Sequence, residues 1–537
     1  MLLNILSKSE LIELIGEDLY AQTTDFLEKI FAGAEGNQSI ELYQKKSIAR
    51  LALSFATSVN LQKPEFWKNI LGRLDQTVKQ RLKSEFNIHQ DLPAGILVER
   101  CLRLEFEQHD LRTDILVEKS KKNEAVTICQ ASEHPLKRLK DYQQGIYLRA
   151  LEKLKISRNR LIIQMPTGSG KTRTAMEVVT EFINRNPTQN VLWLAHSVDL
   201  VDQAAECFSE VWMHLGLVDV SLRLVDGQRN GLENMDDEPS FIVSTFQSMI
   251  SKLGASEHEG GKFISTLALV VVDEAHMSLA PTYNALIKQV ISKGAKLIGL
   301  TATPGRGSET HDENQELAEF YLKNMIDLPS PRGTSVFRYL RNIGVLSRAR
   351  MVELPGAKLQ LTSSEVQKIQ REFSVPKSLL LKLGREELRN IYIVCQIRDL
   401  LKEDSGRRIL LFACSVEHSK LLVSICMYLG YSAAHVDGST AANRRSALIN
   451  DFRDGGIQIL SNFGVLSTGF DAPKTDVVFI ARPTASIVLY SQMIGRGLRG
   501  PAIGGTEECI IVNVRDNLVG LPNPDDIYDY FSEYYVS

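Results

Sequence analysis

The chain has 537 residues, 44% hydrophobic and 24% charged, a globular balance too long for one ordinary core, so about two to four domains are expected. A net charge of −3 excludes a protein that is basic as a whole, and any nucleic-acid surface must be a local groove. The seven cysteines, Cys101, Cys129, Cys207, Cys395, Cys414, Cys426 and Cys509, never form C-x-x-C, which argues against a zinc ribbon or disulfide framework and fits a reduced cytosol. No apolar run approaches the roughly 20 residues of a membrane span, and the opening MLLNILSKSELIELIG has neither a basic leader nor a cleavage site. A cytoplasmic location is the expectation.

From Ser9 to about Arg112 apolar residues fall at helical spacing, as in ELIELIGEDLYAQTTDFLEKIF, and residues 1–132 are expected to form a mostly helical accessory domain. From Leu161 the texture changes to short apolar runs bounded by Gly, Pro, Asp and Ser: LIIQM, VLWLA, FIVST, LALVVV and KLIGLT. Helical segments lie between them, which predicts a parallel sheet covered on both faces over residues 133–330. A second set, RILLFA, SAAHV, IQILS, DVVFIA and CIIVNV, predicts another α/β unit over 331–537, with 331–405 as its connector. The fold class is therefore α/β, with two parallel-sheet lobes behind a helical N-terminal domain.

MPTGSGKT, Met165 to Thr172, follows the strand LIIQM and opens the helical RTAMEVVTEFI. Glycines at such a turn let backbone N–H groups of Thr167, Gly168, Ser169 and Gly170 curl around phosphates, and the helix N-terminus adds its dipole. Lys171 would reach the β/γ-phosphates of ATP and Thr172 would hold Mg²⁺. Met165 stands where the strict pattern has Gly. VVVDEAH places Asp273 and Glu274 at the end of a buried strand, where Asp273 would hold Mg²⁺ and Glu274 would orient or deprotonate the attacking water. Taken alone, two acids after a strand are as often a solvated turn.

PTGSGKT, DEAH, LTATP (Leu300 to Pro304), STGFDAP (Ser467 to Pro473) and QMIGRGLRG occur in the order of superfamily 2 helicases and translocases, which the chain resembles over roughly 133 to 515. In motif style it looks most like bacterial RadD-type repair helicases and the motor parts of restriction enzymes. The resemblance implies two RecA-like lobes with ATP between them. Gln143 of LKDYQQGI would read adenine, and Gly469 and Asp471 would contact the nucleotide. Arg496 and Arg499, three residues apart, would share a helix face and stabilise charge on the γ-phosphate, with Gln492 on the same face near the water or the acid pair. Thr301 and Thr303 would bond His276 and couple the lobes. Contacts to the nucleic-acid backbone would fall to His196, Ser197, Gln203, Thr245 and Gln247 in the first lobe, and to Cys414, Ser415, Thr440 and Thr468 in the second.

The implied activity is ATP-dependent movement along a nucleic acid, with DNA favoured over RNA and genome defence or DNA repair as the setting. An ATP-gated clamp that signals to a partner, an RNA helicase and a protein-remodelling ATPase are the alternatives. The N-terminal domain and the acidic aromatic tail DDIYDYFSEYYVS are candidate docking surfaces for a protein partner.

Overall fold

The structure, a computed structural model, describes residues 125–129, 138–156, 159–233, 240–255, 257–305, 311–329, 331, 334–357, 365, 369, 375–467, 472 and 474–516, with Gln80 and Ser84 as isolated helical positions. The helical accessory domain expected for 1–132 and the C-terminal tail thus lie largely outside the described residues.

The first lobe is a sheet built from β1 (Val126–Cys129), β2 (Arg160–Gln164), β3 (Asn190–Ala195), β4 (Val220–Val225), β5 (Ser240–Thr245), β6 (Leu267–Asp273), β7 (Lys296–Thr301) and β8 (Met325–Ile326), in the order β1-β4-β5-β3-β6-β7-β2-β8. All pairings are parallel except β1 with β4. Side chains alternate between two cores. Ile163, Trp193, Phe241 and Val271 face α1 (Asp141–Leu154), α2 (Lys171–Arg185) and α3 (Val198–Leu215). Ile162, Leu192, Ile242 and Val270 face the opposite layer, α4 (Phe246–Ala255), α5 (Glu257–Thr266), α6 (Pro281–Ser292) and α7 (His311–Phe320).

After α8 (Val336–Asn342), the second lobe is an all-parallel sheet of β9 (Arg348–Pro355), β10 (Ile409–Phe412), β11 (Ala433–Val436), β12 (Ile459–Asn462), β13 (Val477–Ile480) and β14 (Glu508–Arg515), ordered β11-β12-β10-β13-β14-β9. Leu410, Phe412, Leu460 and Val478 pack toward α12 (Ala442–Asp454) and α13 (Ile487–Ile494). Leu411, Ile459, Val477 and Phe479 pack toward α10 (Glu387–Glu403) and α11 (Val416–Tyr428), with α9 (Lys377–Gly384) beside them.

Four strands depart from the sequence reading, the shortest being the two-residue β8, which pairs parallel with β2 at the sheet edge. β1 falls in the segment given to the helical domain, yet its β-branched run VTIC joins the edge of the first sheet. β4 went unread because Arg223 interrupts its apolar run; that arginine is buried, donating to Ser240 Oγ and the Gly231 carbonyl, both at 3.0 Å. β9 lies in the expected connector and completes the second sheet as an edge strand. Its side chains are half exposed, and Arg350 pairs across the strands with Glu508 at 3.3 Å.

Candidate active site and strand-facing edge

The loop after β2 turns with Gly168 at φ +85° and Gly170 at φ +84°, left-handed conformations that glycine adopts without a Cβ penalty. Gly170 caps α2, so Lys171 and Thr172 are its first residues. Met165 N–H donates to the Thr301 carbonyl at 3.1 Å, tying the loop to β7. Ser169 donates to the Pro166 carbonyl through both its N–H (3.1 Å) and its hydroxyl (2.7 Å). A phosphate in the loop would compete for that N–H.

Gln143 does not stand ready for adenine. Its Oε1 accepts Lys140 N–H at 2.9 Å and its Nε2 lies 3.3 and 3.5 Å from the carbonyls of Ser169 and Gly170. One end of the amide caps α1 and the other braces the phosphate loop. Tyr142, which sequence reading passed over, adds a buried hydroxyl bond to the Ser169 carbonyl at 2.8 Å. Its signal was its place beside Gln143 at the start of α1.

Asp273 ends β6, and Glu274 follows with φ 57°, an uncommon position for a residue with a Cβ and one that clusters at functional sites. Gly299 on β7 makes room for this turn: a Cβ there would come within 2.7 Å of Ala275 Cβ and of the Tyr321 ring. Glu274 N–H donates to Asp273 Oδ1 at 3.0 Å, and Glu274 Oε2 is 3.4 Å from His276 Nδ1. Burial, then the charge of Glu274, pushes Asp273 up to about 6. Burial also pushes Glu274 upward, but Lys171, His276, His196 and Arg496 together outweigh it and hold Glu274 below its usual range. The site thus brings together two buried carboxylates, whose hard oxygens suit a divalent cation, with Lys171 and Arg496 balancing their charge. Asp273 and the Thr172 hydroxyl are oxygen donors of that kind, and a cation would drive the proton from Asp273.

Arg496 and Arg499 do not share a helix face. α13 ends at Ile494, Gly495 to Gly497 form a turn, and Arg499 is extended, bridging antiparallel to Leu346. The glycines explain the departure. A Cβ at Gly495 would run into Thr167 of the phosphate loop, and one at Gly497 into Cys509 and Val478. The helix yields so that this segment can lie against the first lobe. A Cβ at Gly168 would sit 3.1 Å from Arg499 Cγ and 3.9 Å from the Gly495 carbonyl. Arg496 donates from Nε to the Ser467 carbonyl at 2.9 Å. Burial pushes it down to about 10, opposed by the charges of Glu274 and Asp273. Burial, then Arg453, pushes Arg499 to about 10 as well. Both remain cations at neutral pH. Gln492 is buried in α13, one turn before Arg496. Thr468, Gly469 and Asp471 lie outside the described residues.

Thr301 and Thr303 do not bond His276. The Thr301 hydroxyl donates to the Thr303 carbonyl (2.9 Å) and accepts Thr303 N–H (3.1 Å), closing a tight turn after β7.

The strand-facing candidates gather at the C-terminal ends of β3 and β5 in the first lobe and of β10 and β11 in the second. His196 follows β3; burial lowers its affinity for a proton, while Glu274 and Asp199 oppose the shift. Ser197 caps α3 by accepting Leu200 N–H at 3.4 Å, and Gln203 lies on that helix. Thr245 bonds Ser248 Oγ at 2.9 Å, and Gln247 donates to Tyr283 at 2.6 Å. Cys414 is fully buried, its thiol donating to the Ala481 carbonyl at 3.0 Å and its N–H to His418 Nδ1 at 3.1 Å, so it cannot meet a strand. The Ser415 hydroxyl is buried as the cap of α11, accepting His418 N–H at 3.1 Å. The Thr440 hydroxyl is held in the turn of Asp437, accepting that residue's N–H at 3.0 Å.

One link between the lobes was not legible in the sequence. Arg445 on α12 pairs with Asp199 on α3 at 2.8 Å, across 246 positions, and its Nη2 reaches the Thr440 carbonyl at 3.2 Å.

Comparisons with known proteins agree with this architecture. The family described as "Type III restriction enzyme, res subunit" matches residues 136–306, and the helicase conserved C-terminal domain matches 392–500. The chain is 26% identical over 344 residues to a 51.5 kDa protein of a Lactococcus phage, covering 63% of this chain and 62% of that protein. It is 23% identical over 372 residues to the putative ATP-dependent helicase IRC3 of Saccharomyces cerevisiae, covering 67% and 49%. It spans about half to three-fifths of the length of these curated relatives. Its fold is similar to the ATP-dependent Type ISP restriction-modification enzyme LlaBIII, solved bound to DNA, with a TM-score of 0.51 and 18% identity over 74% of this chain and 29% of that one. With both helicase domains present in order on two parallel-sheet lobes, the chain belongs to the superfamily 2 ATP-dependent helicases, related to the motor subunits of restriction enzymes.

Proposed function

We propose that this protein couples ATP hydrolysis to movement along a nucleic-acid strand, with DNA favoured over RNA, in genome defence or DNA repair. The observation that carries the reading is the seating of Arg496 and Arg499, from the second lobe, against the phosphate loop and acid pair of the first. A site completed only when two bodies meet makes turnover depend on their relative position, which is what a motor needs.

Lys171 binds the β/γ-phosphates, and the loop N–H groups cradle them once Ser169 N–H leaves the Pro166 carbonyl. Thr172 and Asp273 would hold Mg²⁺, which when bound neutralises phosphate charge. Glu274, kept ionised by its cationic neighbours, orients water and takes its proton. Arg496 and Arg499 stabilise charge on the γ-phosphate. The DNA preference rests on the STGFDAP and GRGLRG forms, which resemble those of DNA motors, and on kinship with restriction enzymes. The test is ATPase activity measured side by side with single-stranded, duplex and forked DNA and with RNA. Stimulation by DNA above RNA supports the reading. Equal rates with and without every polymer would reject it.

A further inference from the structure

The second lobe carries a cation that neither the ATP site nor the packing uses. Arg482 lies two residues past the end of β13 and is half buried, yet among the described residues no ion pair or hydrogen bond holds it. Its Nε–H is shielded from solvent with no acceptor. The guanidinium lies 5.2 Å from the centre of the Phe463 ring, at the end of β12. In the register of the sheet Phe412, Asn462 and Ile480 are level, so Arg482 and Phe463 project from strands on either side of β10. Neighbouring strands are about 4.8 Å apart, so the arginine reaches over the end of β10, above Cys414. Burial depresses its affinity for the proton, and the nearby Cys414 thiol, itself pushed up to about 11 by burial, supplies no anion.

A planar fork of N–H donors resting on an aromatic face, with no carboxylate, is suited to an incoming oxyanion. A guanidinium held without an acceptor is suited to take one from an arriving phosphate oxygen. The nucleotide is not that anion: α13, eight residues and about 12 Å long, separates Arg482 from the turn that carries Arg496. Arg482 instead shares the C-terminal edge of the sheet with the Asp437–Thr440 turn, and Arg445 bridges from that turn to Asp199 beside His196 and Ser197 of the first lobe.

We propose that Arg482, backed by Phe463, is a phosphodiester-binding residue that grips the nucleic-acid backbone on the second lobe, at the place where the sequence pointed to Cys414. This rests on the proposed function and names a contact within it.

The test titrates the full chain, with a non-hydrolysable ATP analogue, against labelled single-stranded DNA and RNA oligonucleotides over a salt series. Wild type, Arg482→Gln and Arg482→Lys are compared, and analogue affinity is read on the same preparations. Arg482→Gln should weaken oligonucleotide binding by about tenfold and reduce the slope of log K against log salt by about 0.7, one phosphate contact on a single strand. Arg482→Lys should retain the slope and recover part of the affinity, since charge remains but the fork is lost. Unchanged affinity and slope in Arg482→Gln, with a wild type that binds, overturns this site alone. A fall in analogue affinity rather than oligonucleotide affinity overturns it in favour of the ATP cleft. A wild type that binds neither polymer overturns the proposed function and this site with it.

Discussion

At the scale of single residues, the acid pair divides its labour through its surroundings. Asp273 is pushed upward and Glu274 downward in the same buried turn, because Lys171, His276, His196 and Arg496 outweigh the effect of burial on Glu274. Glu274→Gln keeps the shape while removing the base, so ATP should bind within a few fold while turnover falls by at least about 100-fold. Single-turnover hydrolysis and nucleotide titration check this, and a normal rate would remove Glu274 from its role. Gly168→Ala is a sharper probe of the loop. It places a Cβ at φ +85°, costing roughly 1–3 kcal/mol, and sets it 3.1 Å from Arg499 Cγ. ATP affinity should drop by about tenfold or more with the fold intact by circular dichroism. Wild-type affinity would mean that the loop rearranges before it binds.

These positions were legible because their chemistry is local: a Gly-rich turn between a strand and a helix, and acids at a strand end, show in a few consecutive residues. What was illegible depended on distant partners. Gln143 is separated by 26 positions from the Ser169 carbonyl it braces, and Asp199 by 246 from Arg445. Cys414 looked available because nothing nearby in sequence announces that His418 and the Ala481 carbonyl take its polar atoms.

At the scale of elements, strands with uniform apolar runs were readable and those broken by charge were not, as β4 and β9 illustrate. The helix expected to carry both arginines stops short because Gly495 and Gly497 are needed for contact with Thr167, Cys509 and Val478, a demand made by the other lobe and by β13 and β14. The α3–α12 bridge is the element-scale device joining the lobes. Asp199–Arg445 is partly exposed, with side chains 42% and 17% accessible, so its net worth is about 1 kcal/mol or less. Asp199→Arg or Arg445→Asp alone should lower nucleic-acid-stimulated turnover several fold, and the double exchange should recover most of it. A double exchange no better than the worse single would show that the pair is not a link. Within the second lobe, His418 is buried, accepting Cys414 N–H at Nδ1 and facing Asn390 Oδ1 at 3.0 Å, and its proton affinity lies well below the ordinary value of 6.5 because of burial and then Arg389. Its folded form stays neutral where the unfolded one gains a proton, so stability is full above about 6.5 and lost as pH falls below it, by up to about 1.4 kcal/mol per pH unit. Urea midpoints between pH 7.5 and 5.5 should fall more steeply for wild type than for His418→Gln. Parallel slopes would contradict this.

At the scale of the whole molecule, a net charge of −3 means that any grip on nucleic acid is local, not made by a protein that is basic throughout. Affinity should accordingly fall linearly on a log–log salt plot with little sequence preference. The phosphate loop of the first lobe meets the Gly495–Arg499 turn of the second, and His196, Thr440 and Arg482 follow the C-terminal ends of β3, β11 and β13.

The central claim is that the ATP site is complete only when the second lobe contributes its arginines. The most direct measurement is ATP affinity and nucleic-acid-stimulated turnover on the same preparations of wild type, Arg499→Ala and Arg499→Lys. Arg499→Ala should bind ATP within a few fold of wild type yet lose about 10³-fold in stimulated turnover, and Arg499→Lys should not restore it, since a point charge lacks the planar fork. Near-normal stimulated turnover in Arg499→Ala, and in Arg496→Ala alongside it, would contradict the two-lobe site and the motor built on it.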